Sequence, residues 1–117
     1  KVMFDPSYLI AVEKSYLEPE EKLAMAVVLD WFYSMLRLLR KVRRGKGLSW
    51  KEEKMWRSYI AWPYTSNARF WVEEVLGGSL EALRCLSQDF ENLKKGENPK
   101  WFPQLVEVVD VAKKPED

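Results

Sequence analysis

The feature that most constrains the fold is a long helix-forming segment that begins at Pro19 and runs to Arg44. The run Glu18-Pro19-Glu20-Glu21 places a proline at the first helical position and acids in the first turn, and Gly45 follows the last residue. At ~1.5 Å per residue such a helix spans about 39 Å. Apolar residues recur along it in two stripes, which are Leu23, Val27, Trp31, Met35, Leu38, Val42 and Ala26, Leu29, Tyr33, Leu36. A helix that is apolar on two sides is surrounded by others, so we expect it at the centre of a bundle. After Leu39 the segment turns basic and is expected to project from the core.

Helix breakers and capping residues divide the rest of the chain into further helices. Ser49-Trp50-Lys51-Glu52 is a capping box, Pro63 ends the helix that it opens, and Gly77-Gly78 closes the next one. The predicted helices span 5–16, 19–44, 50–62, 65–76, 79–95 and 104–112. The pattern leaves almost no room for strands. We therefore predict an all-α fold, a single compact bundle of about six helices that forms one domain over residues 1–117.

The composition excludes several kinds of catalytic and metal site. There is no histidine, so His-dependent triads, HExxH zinc sites and imidazole acid–base catalysis are ruled out. Cys85 is the only cysteine, and its helical context favours a buried, unreactive thiol over a nucleophile. Asp30 on the central helix is expected to make an internal ion pair or hydrogen bond, because no second carboxylate stands beside it for acid catalysis. We predict no catalytic residue, no metal site and no enzymatic activity for the chain by itself.

The N-terminal sequence and the hydropathy pattern indicate where in the cell the protein is expected. The longest uncharged apolar run covers residues 23–29, whereas a membrane span needs ~20 residues. The chain begins at Lys1 without an initiator methionine or a signal-peptide pattern. We expect a cytoplasmic protein with no membrane partner, which is an excised domain or a processed chain.

The net charge of +1 conceals a strong division along the chain. Between Arg37 and Trp71 there are ten lysines and arginines and only two acids, whereas the remainder holds nine bases and sixteen acids. A basic region of this kind can hold a polyanion while the acidic part repels it. The alternative is that the bases only complement the C-terminal end of the central helix dipole, which leaves those beyond Gly45 without an explanation.

Aromatic residues are interleaved with these bases. The same window holds seven of them, which are Trp50, Trp56, Tyr59, Trp62, Tyr64, Phe70 and Trp71. Single-stranded nucleic acid requires this combination, because cations track phosphates while bases stack on rings. Some of the rings also fit a buried helix stripe, so we assign Trp56 to the core and Trp50 to the surface, and leave Tyr59 open. The candidate nucleic-acid-binding residues are Arg40, Arg43, Arg44, Lys46, Trp50, Lys51 and Trp71.

Two helix starts are candidate phosphate sites. Gly77-Gly78-Ser79 and Thr65-Ser66-Asn67-Ala68-Arg69 each combine an exposed helix N-terminus with small or polar side chains. Ordinary helix capping is the better explanation for each of them taken alone, although their closeness to the basic and aromatic window strengthens the phosphate interpretation. Neither matches a P-loop.

These segments carry a family resemblance. The chain lacks histidine and is rich in Glu and Lys, as thermophile proteins are, and it contains the runs Trp56-Arg57-Ser58-Tyr59-Ile60-Ala61-Trp62-Pro63-Tyr64 and Asn67-Ala68-Arg69-Phe70-Trp71. With these features it resembles the helix-bundle domain that follows the archaeo-eukaryotic primase domain in replication proteins of crenarchaeal plasmids. The resemblance implies a non-catalytic accessory domain that binds single-stranded DNA template and ATP during primer initiation. The resemblance also implies that the chain is a domain excised from a larger replication protein. The partner it implies is the primase catalytic domain of the same chain.

The resemblance also directs attention to a nucleotide site between Lys54 and Arg69. The ligand is ATP or another nucleoside triphosphate, with or without Mg²⁺, and the chain needs no metal site of its own. Arginines can bind phosphate in a bidentate manner, and rings near Pro63 can stack on the base. The candidate nucleotide-binding residues are Lys54, Arg57, Tyr59, Trp62, Tyr64, Asn67 and Arg69. Two other functions stay open, namely a general nucleic-acid-binding helical protein of an archaeal virus or a CRISPR-type complex, and a protein-interaction bundle.

Overall fold

The computed structural model describes residues 17–110 of the 117-residue chain. The elements in this range are α1 (Pro19–Arg43), α2 (Trp50–Ala61), a 3-10 turn (Trp62–Tyr64), α3 (Ser66–Ala68), a π-helical segment (Arg69–Val75), α4 (Leu80–Lys94) and α5 (Leu105–Asp110). This confirms the all-α class, and residues 17–110 contain no strand. They hold five α-helices rather than six. The helix predicted over 5–16 lies outside the described residues.

The helices begin where the sequence provides caps. The Ser49 hydroxyl accepts the Glu52 amide at 3.1 Å, and the Glu52 carboxylate accepts the Ser49 amide at 2.9 Å, which is the predicted capping box. Glu18 donates its amide to Glu21 Oε1 at 3.0 Å at the start of α1. The Thr65 hydroxyl accepts the Ala68 amide at 3.2 Å. These local bonds explain why the predicted and observed helix starts agree closely.

Helix α1 is the centre of the bundle, as predicted. It packs against α2, the π segment, α4 and α5. Its buried residues are Ala24, Met25, Val28, Leu29, Trp31, Phe32, Met35, Leu36, Leu38 and Leu39. The two-stripe prediction is wrong in part, since Leu23, Ala26 and Tyr33 are exposed. These residues lie at helical spacing with Asp30 and Arg37, so α1 keeps one solvent-facing stripe instead of being enclosed.

An aromatic cluster joins α1 to α2 and α4. The Phe90 ring lies edge-on to both Trp31 and Trp56, at centroid distances of 6.4 and 6.5 Å. Trp31 donates its indole N–H to the Tyr59 carbonyl at 2.8 Å, and Trp56 donates to Glu91 Oε1 at 2.7 Å. Both tryptophans are buried, which confirms their assignment to the core.

The basic end of α1 does not project from the core, contrary to the prediction. Arg40 donates from Nη2 to the Val108 carbonyl at 3.1 Å, and Arg43 pairs with Asp110 at 3.2 Å. Helix α5 therefore packs along this end and contacts Arg40 and Arg43, two of the basic residues that were predicted to bind nucleic acid. The prediction for Asp30 is also wrong, because its side chain is exposed rather than buried with a partner.

The predicted helix over 65–76 changes type along its length. It begins as α3 and continues as a π segment, in which the Leu76 amide donates to the Trp71 carbonyl five residues earlier at 3.2 Å. Gly77, with φ of +69°, ends the segment. The wider helix places Val72 inside the core and Phe70 at the surface.

A buried carboxylate anchors the connection between α4 and α5. Asp89 is fully buried and accepts the amides of Lys100, Trp101 and Phe102 at 2.6, 2.9 and 2.7 Å. These bonds satisfy a carboxylate that would otherwise be costly to bury. They hold the loop so that Phe102 reaches the core.

Candidate nucleic-acid interface

The outward side of α2 is a continuous basic and aromatic surface, which we call the α2 face. Its exposed residues follow one another at helical spacing along the whole helix. They are Trp50, Lys51, Lys54, Arg57, Ser58 and Ala61. Three of these six residues are cations and none is an acid, so the face carries a single sign of charge.

The acids of α2 point toward the flanking helices. Glu52 accepts from Lys41 of α1 at 2.8 and 2.9 Å, and Glu53 accepts from Lys94 of α4 at 3.2 Å. The Lys41 and Ser49 hydrogen bonds lower the pKa of Glu52, which keeps it ionised at neutral pH. Each α2 acid is thus neutralised by a base outside the helix, and the charges of the α2 face stay uncompensated within α2.

Trp50 is the most exposed large apolar side chain of residues 17–110. Its side chain begins α2 and is 72% exposed. The Lys54 ammonium lies 5.2 Å from its ring centroid, one helical turn further on. An indole this exposed is accessible to a ligand in solution, and stacking on a planar ligand would remove its apolar surface from water. The predicted grouping of Trp50, Lys54 and Arg57 on one exposed face is therefore present.

A second exposed ring follows the end of α2. The 3-10 turn buries Pro63 and directs Tyr64 outward, so that Tyr64 is 60% exposed. The Arg84 guanidinium of α4 lies 4.8 Å from the Tyr64 ring centroid, and its Nε donates to the Pro63 carbonyl at 3.1 Å. Arg84 thus fixes both the turn and the ring.

The predicted nucleic-acid-binding residues are divided between several surfaces. Trp50 and Lys51 lie on the α2 face, and Lys46 is exposed in the loop before it. Arg44 is exposed. Burial lowers the pKa of Arg40, and the charge of Arg44 adds to this lowering. Arg40 and Arg43 contact α5. Trp71 is half-buried in the π segment, with its ring edge-on to Phe70 at 5.0 Å, and that segment packs on α1 and α4.

The predicted nucleotide-binding residues are also separated. Lys54 and Arg57 lie on the α2 face, whereas Tyr64, Asn67 and Arg69 are exposed around the turn that follows it. The rings of Trp62 and Tyr59 pack against the core. The ring centroids of Trp62 and Trp31 are 5.7 Å apart, so the Trp62 ring packs against the helix bundle.

Sequence reasoning missed Arg84 as a member of this region. It lies in α4, 20 residues beyond Tyr64 along the chain, and no local spacing connects the two. One signal was present in the sequence, because Arg84 stands between the inner-face residues Leu83 and Leu86 on an otherwise apolar side of α4. A long cation at such a position reaches across a neighbouring element.

Other candidate chemistry in the described part of the chain is sparse. Cys85 is half-buried, and burial together with Glu81 and Asp89 raises the pKa of its thiol, which agrees with an unreactive cysteine. Residues 17–110 contain no group of three or more side chains suited to holding a metal ion. No helix in that range is both long and apolar enough to cross a bilayer.

Comparison with known proteins adds no relatives. No protein-family model, no curated protein and no solved structure matches the chain.

Proposed function

We propose that this chain binds single-stranded nucleic acid on the α2 face. The observation that carries the proposal is the composition of that face. The cations Lys51, Lys54 and Arg57 share the exposed side of α2 with the indole of Trp50, while both α2 acids pair with neighbouring helices. Cations attract the phosphates and the indole stacks on a base. Stacking of this kind contributes ~1–3 kcal/mol per base and tolerates any sequence.

A single strand suits the face better than a duplex does. Bases in a duplex are already stacked on one another, so proteins reach only their edges through the grooves. The α2 face offers a large exposed ring, which can stack only on a base whose face is free. Its ligand is therefore one whose bases are free to leave their stack.

The finer part of the proposal is the biological setting. We infer that the bound strand is DNA template and that the chain assists a primase catalytic domain during primer initiation, with ATP held near Asn67 and Arg69, beyond the end of the α2 face. The family resemblance of the segments 56–64 and 67–71 supports this setting. Asn67 and Arg69 are both exposed, so their amide and guanidinium groups are accessible to a triphosphate ligand.

The electrostatic part of the proposal is tested by salt dependence. The affinity of wild-type protein for a fluorescent oligothymidylate is measured by anisotropy over a range of salt concentrations. The triple variant Lys51→Gln, Lys54→Gln, Arg57→Gln should bind more weakly. Its slope of log K against log salt should be shallower than that of wild type by about 0.7 for each phosphate that the variant no longer neutralises.

The matched control removes three exposed lysines that lie outside the α2 face. They are replaced in the variant Lys22→Gln, Lys95→Gln, Lys100→Gln. This control should keep the wild-type slope, although its net charge changes equally. A wild-type affinity that does not depend on salt, or an equal reduction of the slope in both variants, contradicts binding at the α2 face.

A further inference from the structure

The exposed stripe of α2 continues beyond the end of the helix. Its positions Trp50, Lys54, Arg57 and Ala61 are separated by four, three and four residues, which is the spacing of one helix side. The next step of three residues reaches Tyr64, the exposed ring of the 3-10 turn. A 3-10 turn advances ~120° per residue instead of ~100°, so three residues complete about one full turn and return Tyr64 to the side of Ala61.

The Tyr64 ring is held in place by a residue of another helix. Arg84 covers it at 4.8 Å and is itself anchored to the Pro63 carbonyl. A ring fixed in this way loses little conformational freedom when a ligand stacks on it. Trp50 has a similar arrangement at the other end, where Lys54 lies over its ring.

The two rings define a length. From Trp50 to Ala61, α2 rises about 17 Å, and the 3-10 turn adds about 6 Å before Tyr64. A stacked strand rises ~3.4 Å per nucleotide, so the axial separation of about 23 Å corresponds to about seven nucleotides. An extended strand spans it with fewer. The cations of the α2 face lie between the rings, where the phosphates of such a strand would run.

We infer that Trp50 and Tyr64 are the two stacking ends of one strand-binding site, which takes a single-stranded segment of about seven nucleotides with Arg84 as the positioning residue for Tyr64. This inference rests on the proposed function, because it assigns a second end to the same site. It makes the site selective for length, since only a strand that reaches both rings gains both stacking contributions.

The test is a length series of oligothymidylates without ATP, from about three to about eight nucleotides. The wild-type affinity should rise steeply as the oligonucleotide becomes long enough to reach both rings. In Tyr64→Ala this step should disappear, so that the longest oligonucleotide binds ~5–100-fold more weakly than it binds wild-type protein. Tyr64→Phe retains the ring and should restore the step.

Two further variants make the outcome decisive. Trp101→Ala removes a comparable exposed ring, 42% exposed with Lys100 over it, that lies outside the stripe, and it should keep the full length dependence. Tyr64→Leu keeps apolar volume at the turn and should lose the step as Tyr64→Ala does, which guards against a folding defect. If Trp50→Ala weakens binding but Tyr64→Ala and Tyr64→Leu both keep the wild-type length dependence, the two-ended site is wrong and the proposed function stands. If neither Trp50→Ala nor Tyr64→Ala weakens binding at any length, both are wrong.

Discussion

The buried carboxylate of Asp89 allows a quantitative prediction. Asp89→Ala removes an acceptor shared by three amides. The Phe102 amide is buried, so its bond to a charged acceptor contributes about 1.5–3 kcal/mol, and removal of the carboxylate leaves an unsatisfied donor. The Lys100 and Trp101 amides lie nearer to solvent, and their bonds contribute about 0.5–1.5 kcal/mol each. Part of this sum is offset because the carboxylate no longer has to be desolvated. We therefore expect the free energy of unfolding to fall by about 3–4 kcal/mol.

Urea denaturation followed by circular dichroism measures this decrease, and hydrogen exchange locates it. In wild-type protein the Phe102 amide should exchange slowly, and in Asp89→Ala it should exchange at the rate of an open loop. Asp89→Asn keeps one acceptor oxygen but turns an NH₂ group toward one of the donors, so it should cost about 1–2 kcal/mol. A cost below ~1 kcal/mol for Asp89→Ala, with Phe102 still protected, would refute the argument that this carboxylate anchors the loop.

Three further predictions follow from burial and charge. Trp31→Ala should cost ~3–5 kcal/mol of stability, whereas Trp50→Ala should stay within about 0.5 kcal/mol in the same urea titration; equal costs would contradict the assignment of the two rings to core and surface. Because the pKa of Glu52 is lowered in the folded state, its contribution to stability is present above its unfolded-state pKa and is lost as the pH falls through the folded-state value. The stability difference between wild type and Glu52→Gln should therefore shrink below pH 4.5 and be constant near neutrality, and a difference that grows on acidification would reverse the sign. The raised pKa of Cys85 predicts alkylation by iodoacetamide at neutral pH that is slower in native than in urea-unfolded protein, as measured by mass spectrometry, and equal rates would show a reactive thiol.

Local signals account for the parts of the fold that were predictable from the sequence. The start of α2 follows from a four-residue capping box, and the start of α1 follows from Pro19 and its neighbouring acids. The core positions of Trp31 and Trp56 follow from apolar spacing within single helices. Each of these features depends on residues within one or two turns of each other.

The errors arise where distant segments decide the outcome. The basic end of α1 is expected from the sequence to be solvated, but Arg43 pairs with Asp110, 67 residues later. The π segment is predicted as ordinary helix, because the i to i+5 pattern of Trp71 and Leu76 has no signature distinct from that of an α-helix. Helical spacing places Asp89 on the apolar side of α4 with Leu86 and Leu93, but its bonds could not be predicted, because its three donors belong to a loop whose position depends on the packing of α5.

The candidate site shows the same division. Trp50, Lys54 and Arg57 share a helix, so their common exposed face was predictable from spacing alone. The net positive charge of that face was not predictable. In the sequence Glu52 and Glu53 offset two of its three cations, and only the ion pairs with Lys41 and Lys94 in the folded structure hold these acids away from the face. The Tyr64–Arg84 contact likewise joins two separate elements, the 3-10 turn and α4.

The most direct test of the central claim is an NMR titration of the indole N–H signals with single-stranded DNA. The chain has six tryptophans, and their environments differ. If the α2 face binds the strand, the exposed Trp50 signal should shift, while those of Trp31 and Trp56 should stay in place because their N–H groups are bonded to Tyr59 and Glu91 inside the bundle. A shift at Trp101 with no change at Trp50 would contradict the account.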